Sequence, residues 1–245
     1  MAPILVTGGT GTLGRAVVDA LRREGREYRV LSRRTADDPA RVTGDLTTGA
    51  GLDEALRGTE AVIHCATDVR APRQDVTGTR NLIEAAHRNG APHLVYISIV
   101  GIDRVPLRYY RVKQEVEDLV AGSGLPWTIL RATQFHDLVH TVATLAGRLP
   151  IAVAPAGTSF QPVDVRDVAA RLVELATGTP AGRADDLGGP EVRTSVDLFR
   201  ATLGHRRVVP LRLPGRAAAG YRAGGHLAPG HADGRITYAQ YLDAR

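Results

Sequence analysis

The stretch Met1-Ala-Pro-Ile-Leu-Val-Thr-Gly-Gly-Thr-Gly-Thr-Leu-Gly14 decides the fold. Ile4, Leu5 and Val6 form a short apolar run without helical spacing, the pattern of a buried strand. Gly8, Gly9, Gly11 and Gly14 follow, and apolar residues at Leu13, Ala16, Val17, Ala20 and Leu21 then predict a helix. A strand, a glycine-rich turn and a helix together let a diphosphate approach the backbone closely. It meets the first N–H groups of the helix at the positive end of its dipole. The glycines fit G-x-G-x-x-G through Gly9, Gly11 and Gly14, or G-x-x-G-x-x-G through Gly8, Gly11 and Gly14. A plain strand-to-helix turn is the alternative, and the flanking strand and helix favour a dinucleotide site.

Composition bounds the rest. The 245 residues suffice for one sizeable α/β core with a small extension. Hydrophobic content of 43% and charged content of 23% suit a water-soluble globular chain. One cysteine, Cys65, excludes an internal disulfide and points to a reducing, cytoplasmic setting. Neither an 18-residue apolar run nor a signal peptide is read, so no membrane partner is expected. The net charge of +5 is scattered arginine, and with 4% aromatics and no basic-helix or zinc-finger pattern, nucleic acid is not an expected partner. A small-molecule substrate is.

Further strands are predicted at Tyr28–Ser32, from Arg41, at 60–66, at His93–Ser98 and at Trp127–Arg131, alternating with helices at Leu52–Leu56, Asp75–Asn89 and Tyr109–Ala121. Six strands alternating with helices predict an α/β fold, a Rossmann-type doubly wound parallel sheet. After strand two stands Ser32-Arg33-Arg34, where an NAD site would favour a carboxylate for the ribose hydroxyls. Arg33 and Arg34 suit a 2′-phosphate instead, so NADP(H) is favoured over NAD(H), a solvated basic loop being the alternative. Beyond residue 133 a helix over Phe135–Leu145, a strand at 160–163, a helix over Val165–Thr177 capped by Asp164, and a small lid around Ser195–Leu203 and Val208–Leu213 are predicted. Residues 1–133 are thus read as the NADP-binding core and 134–245 as a small C-terminal substrate-binding or lid portion, interleaved with it in one globular unit.

These pieces, taken in order, resemble the short-chain dehydrogenase/reductase superfamily in its atypical, NmrA-like branch. The matching segments are Thr7–Gly14, Gly44-Asp45-Leu46, Gly78–Leu82, Tyr96–Gly101, Tyr109-x-x-x-Lys113, Ser123–Arg131 and 162–168. The resemblance implies cofactor contacts at Gly8, Thr10, Gly11, Thr12, Leu13 and Gly14, at Arg33 and Arg34, at Asp45 and Leu46, at Ala66 and Thr67, and from Lys113 to the nicotinamide ribose.

Tyr109 and Lys113 are four apart on a predicted helix, so they share a face, and an ammonium near a phenol makes it a better proton donor to a carbonyl that receives hydride. An accidental pair, with Lys113 joined to Glu117, is the alternative. Ser98 is the one serine available to assist, and Asp75 stands where the family carries asparagine. After strand six, Gln134, Phe135 and His136 lie where substrate would meet the sheet's carboxyl edge. His136 and His140 have a metal-compatible spacing but no recognisable third ligand, so no metal is expected. The expected function is an NADPH-dependent oxidoreductase acting on a carbonyl, quinone or related compound. A non-catalytic NADP(H) sensor that reports to a protein partner is one alternative, and an epimerase- or dehydratase-like enzyme that uses the cofactor transiently is another.

Overall fold

The computed structural model describes residues 2–35 and 37–245. The first part of the chain runs β1 (Ile4–Thr7), α1 (Thr12–Arg23), β2 (Tyr28–Ser32), β3 (Arg41–Thr43), α2 (Leu52–Leu56), β4 (Ala61–His64), α3 (Arg73–Arg88), β5 (His93–Ile99), α4 (Arg108–Ala121) and β6 (Trp127–Ala132). It continues through α5 (His136–Ala146), β7 (Ala152–Pro155), β8 (Ser159–Phe160), α6 (Val165–Thr177), β9 (Gly182–Arg183), β10 (Arg193–Thr194), α7 (Ser195–Leu203), β11 (Val208–Leu211), α8 (Arg216–Arg222) and α9 (Tyr238–Asp243).

Seven strands form the main sheet in the order β3-β2-β1-β4-β5-β6-β9. Pairing is parallel from β1 to both β2 and β4, and again between β2 and β3, β4 and β5, and β6 and β9. The order reverses between β1 and β4, whose register sets Thr7 beside His64. Such a reversal opens a crevice at the carboxyl ends of the two strands, the place where doubly wound sheets bind ligands.

Residues divide into two compact units: Met1–Ser98 with Arg111–Leu130 and Ala169–Ala184, and Ile99–Tyr110 with Arg131–Val168 and Asp185–Arg245. Within the first, parallel strands covered on both faces read as continuous apolar runs. Leu5, Val62, Leu94 and Ile129 of the sheet pack with Leu56, Leu82, Val116 and Val120 of the helices. Within the second, β7 pairs in parallel with β11, β8 pairs antiparallel with β10, and Ala143, Ala152, Phe199 and Val208 form a small core.

Two details depart from the sequence expectation. The strand expected at 160–163 is only Ser159–Phe160, because Pro162 has no N–H to continue a ladder; Val163 pairs alone, with Phe135. β9, a two-residue seventh strand, is too short to show any alternation in the sequence. Among the described residues, no helix is long and apolar enough to cross a membrane.

Leu5 is fully buried at the centre of the first unit's core. Leu5→Ala is expected to lower stability by about 2–5 kcal/mol, read as a fall in the denaturant midpoint with an unchanged slope.

Candidate functional site

The glycine turn after β1 is built by close backbone contact. Gly8 takes a φ of +69°, and a Cβ there would come within 2.6 Å of the Ala66 nitrogen. A Cβ on Gly14 would run into the Gly8 carbonyl oxygen, which already accepts the Gly11 N–H at 2.9 Å. Gly11 caps α1 without any side-chain hydrogen bond, and no acidic residue lies in the first turn. The N–H groups that open α1 therefore keep their capacity for an anion, and Thr10, Gly11 and Thr12 are exposed on the turn while Leu13 is buried beneath it. A cradle that any side chain would fill, at a helix start that lacks its own cap, fits a dinucleotide diphosphate.

The other expected cofactor positions ring the same carboxyl edge of the sheet. Arg33 and Arg34 follow β2, both exposed, and neither makes an ion pair among the described residues. Asp45 and Leu46 follow β3. Asp45 accepts the Thr47 N–H at 2.7 Å, and the Leu46 carbonyl accepts from the Asn81 amide at 2.8 Å. Ala66 and Thr67 follow β4. The Ala66 N–H points to Thr7 Oγ1 at 3.4 Å, and Thr67 donates to Asp75 at 2.5 Å. Asp75 also accepts the Asp68 N–H at 2.9 Å, so this carboxylate clamps the loop after β4. Asparagine could not accept at both oxygens, which gives the departure from the family residue a physical sense.

Sequence reading missed His64. It is buried between Thr7 Oγ1, 2.6 Å from Nδ1, and Thr79 Oγ1, 3.0 Å from Nε2. Thr79 spends its proton on the Asp75 carbonyl at 2.7 Å, so it accepts from His64 Nε2–H, and Nδ1 accepts from Thr7. Loss of hydration holds the imidazole neutral, its pKa pushed down to about 3. The result is a one-directional chain from Ala66 N–H through Thr7 and His64 to Thr79 and α3. No local pattern announces it, because its members come from four segments.

Lys113 of α4 is buried, with Nζ 3.3 Å from the Ile97 carbonyl and 4.4 Å from the centre of the Tyr96 ring. Burial pushes its pKa down to about 8, against the pull of Asp75, Cys65 and Glu117 toward the charged form. Glu117 instead pairs with Arg183 at 3.5 Å. Ser98 is buried, its hydroxyl without a hydrogen-bond partner. Burial pushes the Cys65 thiol up to about 12, which makes it a packing residue rather than a nucleophile.

Within the second unit, Tyr109 is half-buried and packs beside Ile102, Val105 and Tyr110. Gln134 is buried beside the Tyr110 hydroxyl. Phe135 caps α5. His136 is fully buried between the rings of Tyr238 and Tyr241, Nε2 lying 3.0 Å from the Ile236 carbonyl. His140 Nδ1 instead accepts from Arg245 at 2.9 Å, so the two histidines serve different partners.

A doubly wound sheet with a glycine cradle at its switch point defines a nicotinamide-dinucleotide-binding protein. The NAD(P)H-binding family model matches residues 8–178, and the chain belongs to that family. The chain is 35% identical over 204 residues to a (4-alkanoyl-5-oxo-2,5-dihydrofuran-3-yl)methyl phosphate reductase of Streptomyces griseus, covering 78% of this chain and 70% of that one. It is 32% identical over 188 residues to a ceramide reductase of Caulobacter vibrioides, covering 69% and 59%. In fold it is similar to an NADPH-dependent quinone oxidoreductase from Escherichia coli solved with NADPH, at a TM-score of 0.83 and 21% identity over 98% of this chain and 99% of that one. The class is NAD(P)H-dependent oxidoreductase.

The Lys113 ammonium has a pH consequence. Its pKa near 8 in the fold lies below its ordinary 10.5, so the unfolded chain binds more protons between those values and stability contributed by this group rises with pH across that window. Denaturant midpoints at pH 7.5 and 9.5 are expected to show this gain in the wild type and not in Lys113→Met.

Proposed function

We propose that the protein uses NADPH to reduce a small carbonyl, quinone or related organic acceptor. The observation that carries this reading is Lys113, a buried ammonium one helical turn from Tyr109 on α4. Burying an ammonium is costly, and a chain with no chemical use for it would place an apolar residue there.

Bound at the cradle, the dinucleotide supplies the hydride. The turn from Gly8 to Gly14 would hold the diphosphate, Arg33 and Arg34 the 2′-phosphate, Asp45, Leu46, Ala66 and Thr67 the adenosine side, and Lys113 the nicotinamide ribose. Tyr109 would hold a phenolic proton for the acceptor oxygen and would take one back from solvent. Lys113 favours the phenolate, and Ser98 offers its unpaired hydroxyl to the acceptor oxygen. Residues 134–245 supply the substrate portion. Gln134 presents its amide to the substrate, while Phe135 and His136 fix the segment that carries it. The single cysteine suits work in the reducing cytoplasm.

Steady NADPH oxidation is expected with a quinone or ketone panel. Tyr109→Phe should lower kcat by about 10²-fold or more while leaving the NADPH Kd within about threefold. Arg33→Glu should raise the NADPH Kd by about tenfold or more and leave that for NADH unchanged. Selective NADPH binding without turnover on any acceptor would replace this reading with the sensor.

A further inference from the structure

Tyr109 lies in the first turn of α4, where backbone N–H groups have no carbonyl within the helix to hold them. The aim of its phenol therefore depends on what the neighbouring residues of the second unit are fixed to. Tyr110, next in the chain, is 4% exposed, and its hydroxyl lies 2.9 Å from that of Tyr221 on α8 and beside the Gln134 amide. Burial raises the pKa of both phenols, so the bond joins two neutral hydroxyls at any working pH. The Tyr221 ring is itself confined. It packs edge to face on the buried His226 ring, 4.5 Å between centres, and lies 6.0 Å from the Phe160 ring. His226 is tied in turn, its Nε2 2.8 Å from the Ser159 carbonyl oxygen.

The main chain repeats this docking. Gly101, at a φ of +84°, opens the loop that leads into α4, and a Cβ there would run into the Gly225 carbonyl oxygen. A Cβ on Gly225 would lie 3.2 Å from Arg104 Cβ, and one on Gly220 would lie 3.4 Å from Val105 Cα. The loop before α4 is thus closed against α8 and the turn that follows it. Tyr221 and Tyr109 both pack on the cluster of Ile102, Val105 and Tyr110. Phenylalanine at 110 and 221 would fill the same cluster. What the two hydroxyls add is a directional bond, placed beside Tyr109.

We propose that Tyr221 is a positioning residue: through its bond to Tyr110 it holds the first turn of α4 in the arrangement that aims the Tyr109 phenol for proton transfer. The inference rests on the proton-donor role proposed for Tyr109.

Tyr221→Phe, which keeps the ring and removes the hydroxyl, tests it in the whole chain, with thermal melting as a control on each variant. On a quinone or ketone that the wild type reduces with NADPH, kcat is expected to fall about tenfold while KM and the NADPH Kd stay within about threefold. Tyr110→Phe should give the same loss, and the two changes together should be no worse than either, as the two ends of one bond behave. In a Tyr109→Phe background, Tyr221→Phe should change kcat by less than about twofold. A second readout needs no turnover. With meta-fluorotyrosine in place of the seven tyrosines, the fluorine resonance of Tyr109, identified by its loss in Tyr109→Phe, is expected to shift and broaden in Tyr221→Phe. An unchanged Tyr109 resonance overturns the proposal. So does a wild-type kcat in Tyr221→Phe when Tyr109→Phe is impaired, or a Tyr221→Phe loss that is as large without the Tyr109 hydroxyl. Full activity in Tyr109→Phe would instead overturn the proton-donor reading, and the resonance alone would then decide whether Tyr221 holds Tyr109.

Discussion

The fold hangs on one steric constraint: between Thr7 and Leu13 the backbone must pass within contact distance of itself and of the loop after β4. The Gly8 carbonyl occupies the space that a Cβ on Gly14 would fill, and the Ala66 nitrogen occupies the space of a Cβ on Gly8. No other residue type satisfies both contacts. This closeness brings the opening N–H groups of α1 to the reversal point of the sheet, and it fixes where β1 and β4 end relative to each other. The dinucleotide reading follows from that geometry before any single side chain is considered.

Around this point the polar side chains act as ties more than as reagents. Thr7, His64 and Thr79 stitch β1, β4 and α3 behind the glycine turn, and Asp75 holds the loop in front of it. Asn81 fixes the Leu46 loop in the same way. Lys113 is the exception. Its ammonium has one weak carbonyl partner and an aromatic face in a site that strips it of water. Burial lowers its pKa against the attraction of Asp75 and Glu117.

The sheet was legible in the sequence because its central strands carry short apolar runs, such as Ile4-Leu5-Val6 and Ala61-Val62-Ile63, and the glycine spacing is local. Arg33 and Arg34 could be singled out because their position is counted from that glycine turn. His64 and Asp75 were not: a histidine in an apolar run and an acid at a helix start acquire roles only when distant segments meet. The second unit was least legible, because β8 and β10 have two residues each and carry no periodicity. One signal there was readable in principle. Thr237-x-x-Gln240 is a capping box, and it starts α9 in a stretch whose glycine and alanine content otherwise suggests nothing.

The chain passes between its two units after Ser98, Tyr110, Leu130, Val168 and Ala184. Neither unit is therefore a contiguous stretch of sequence, and this sets a timetable for synthesis. While the ribosome adds residues 133–181, β6 is the outermost strand on its side of the sheet, an open edge awaiting β9. The second unit closes later still, since it draws on residues up to 245. Over that window the nascent protein carries an unpaired parallel edge, the condition under which strands recruit wrong neighbours. Interleaving thus leaves each unit incomplete until segments far downstream have been made.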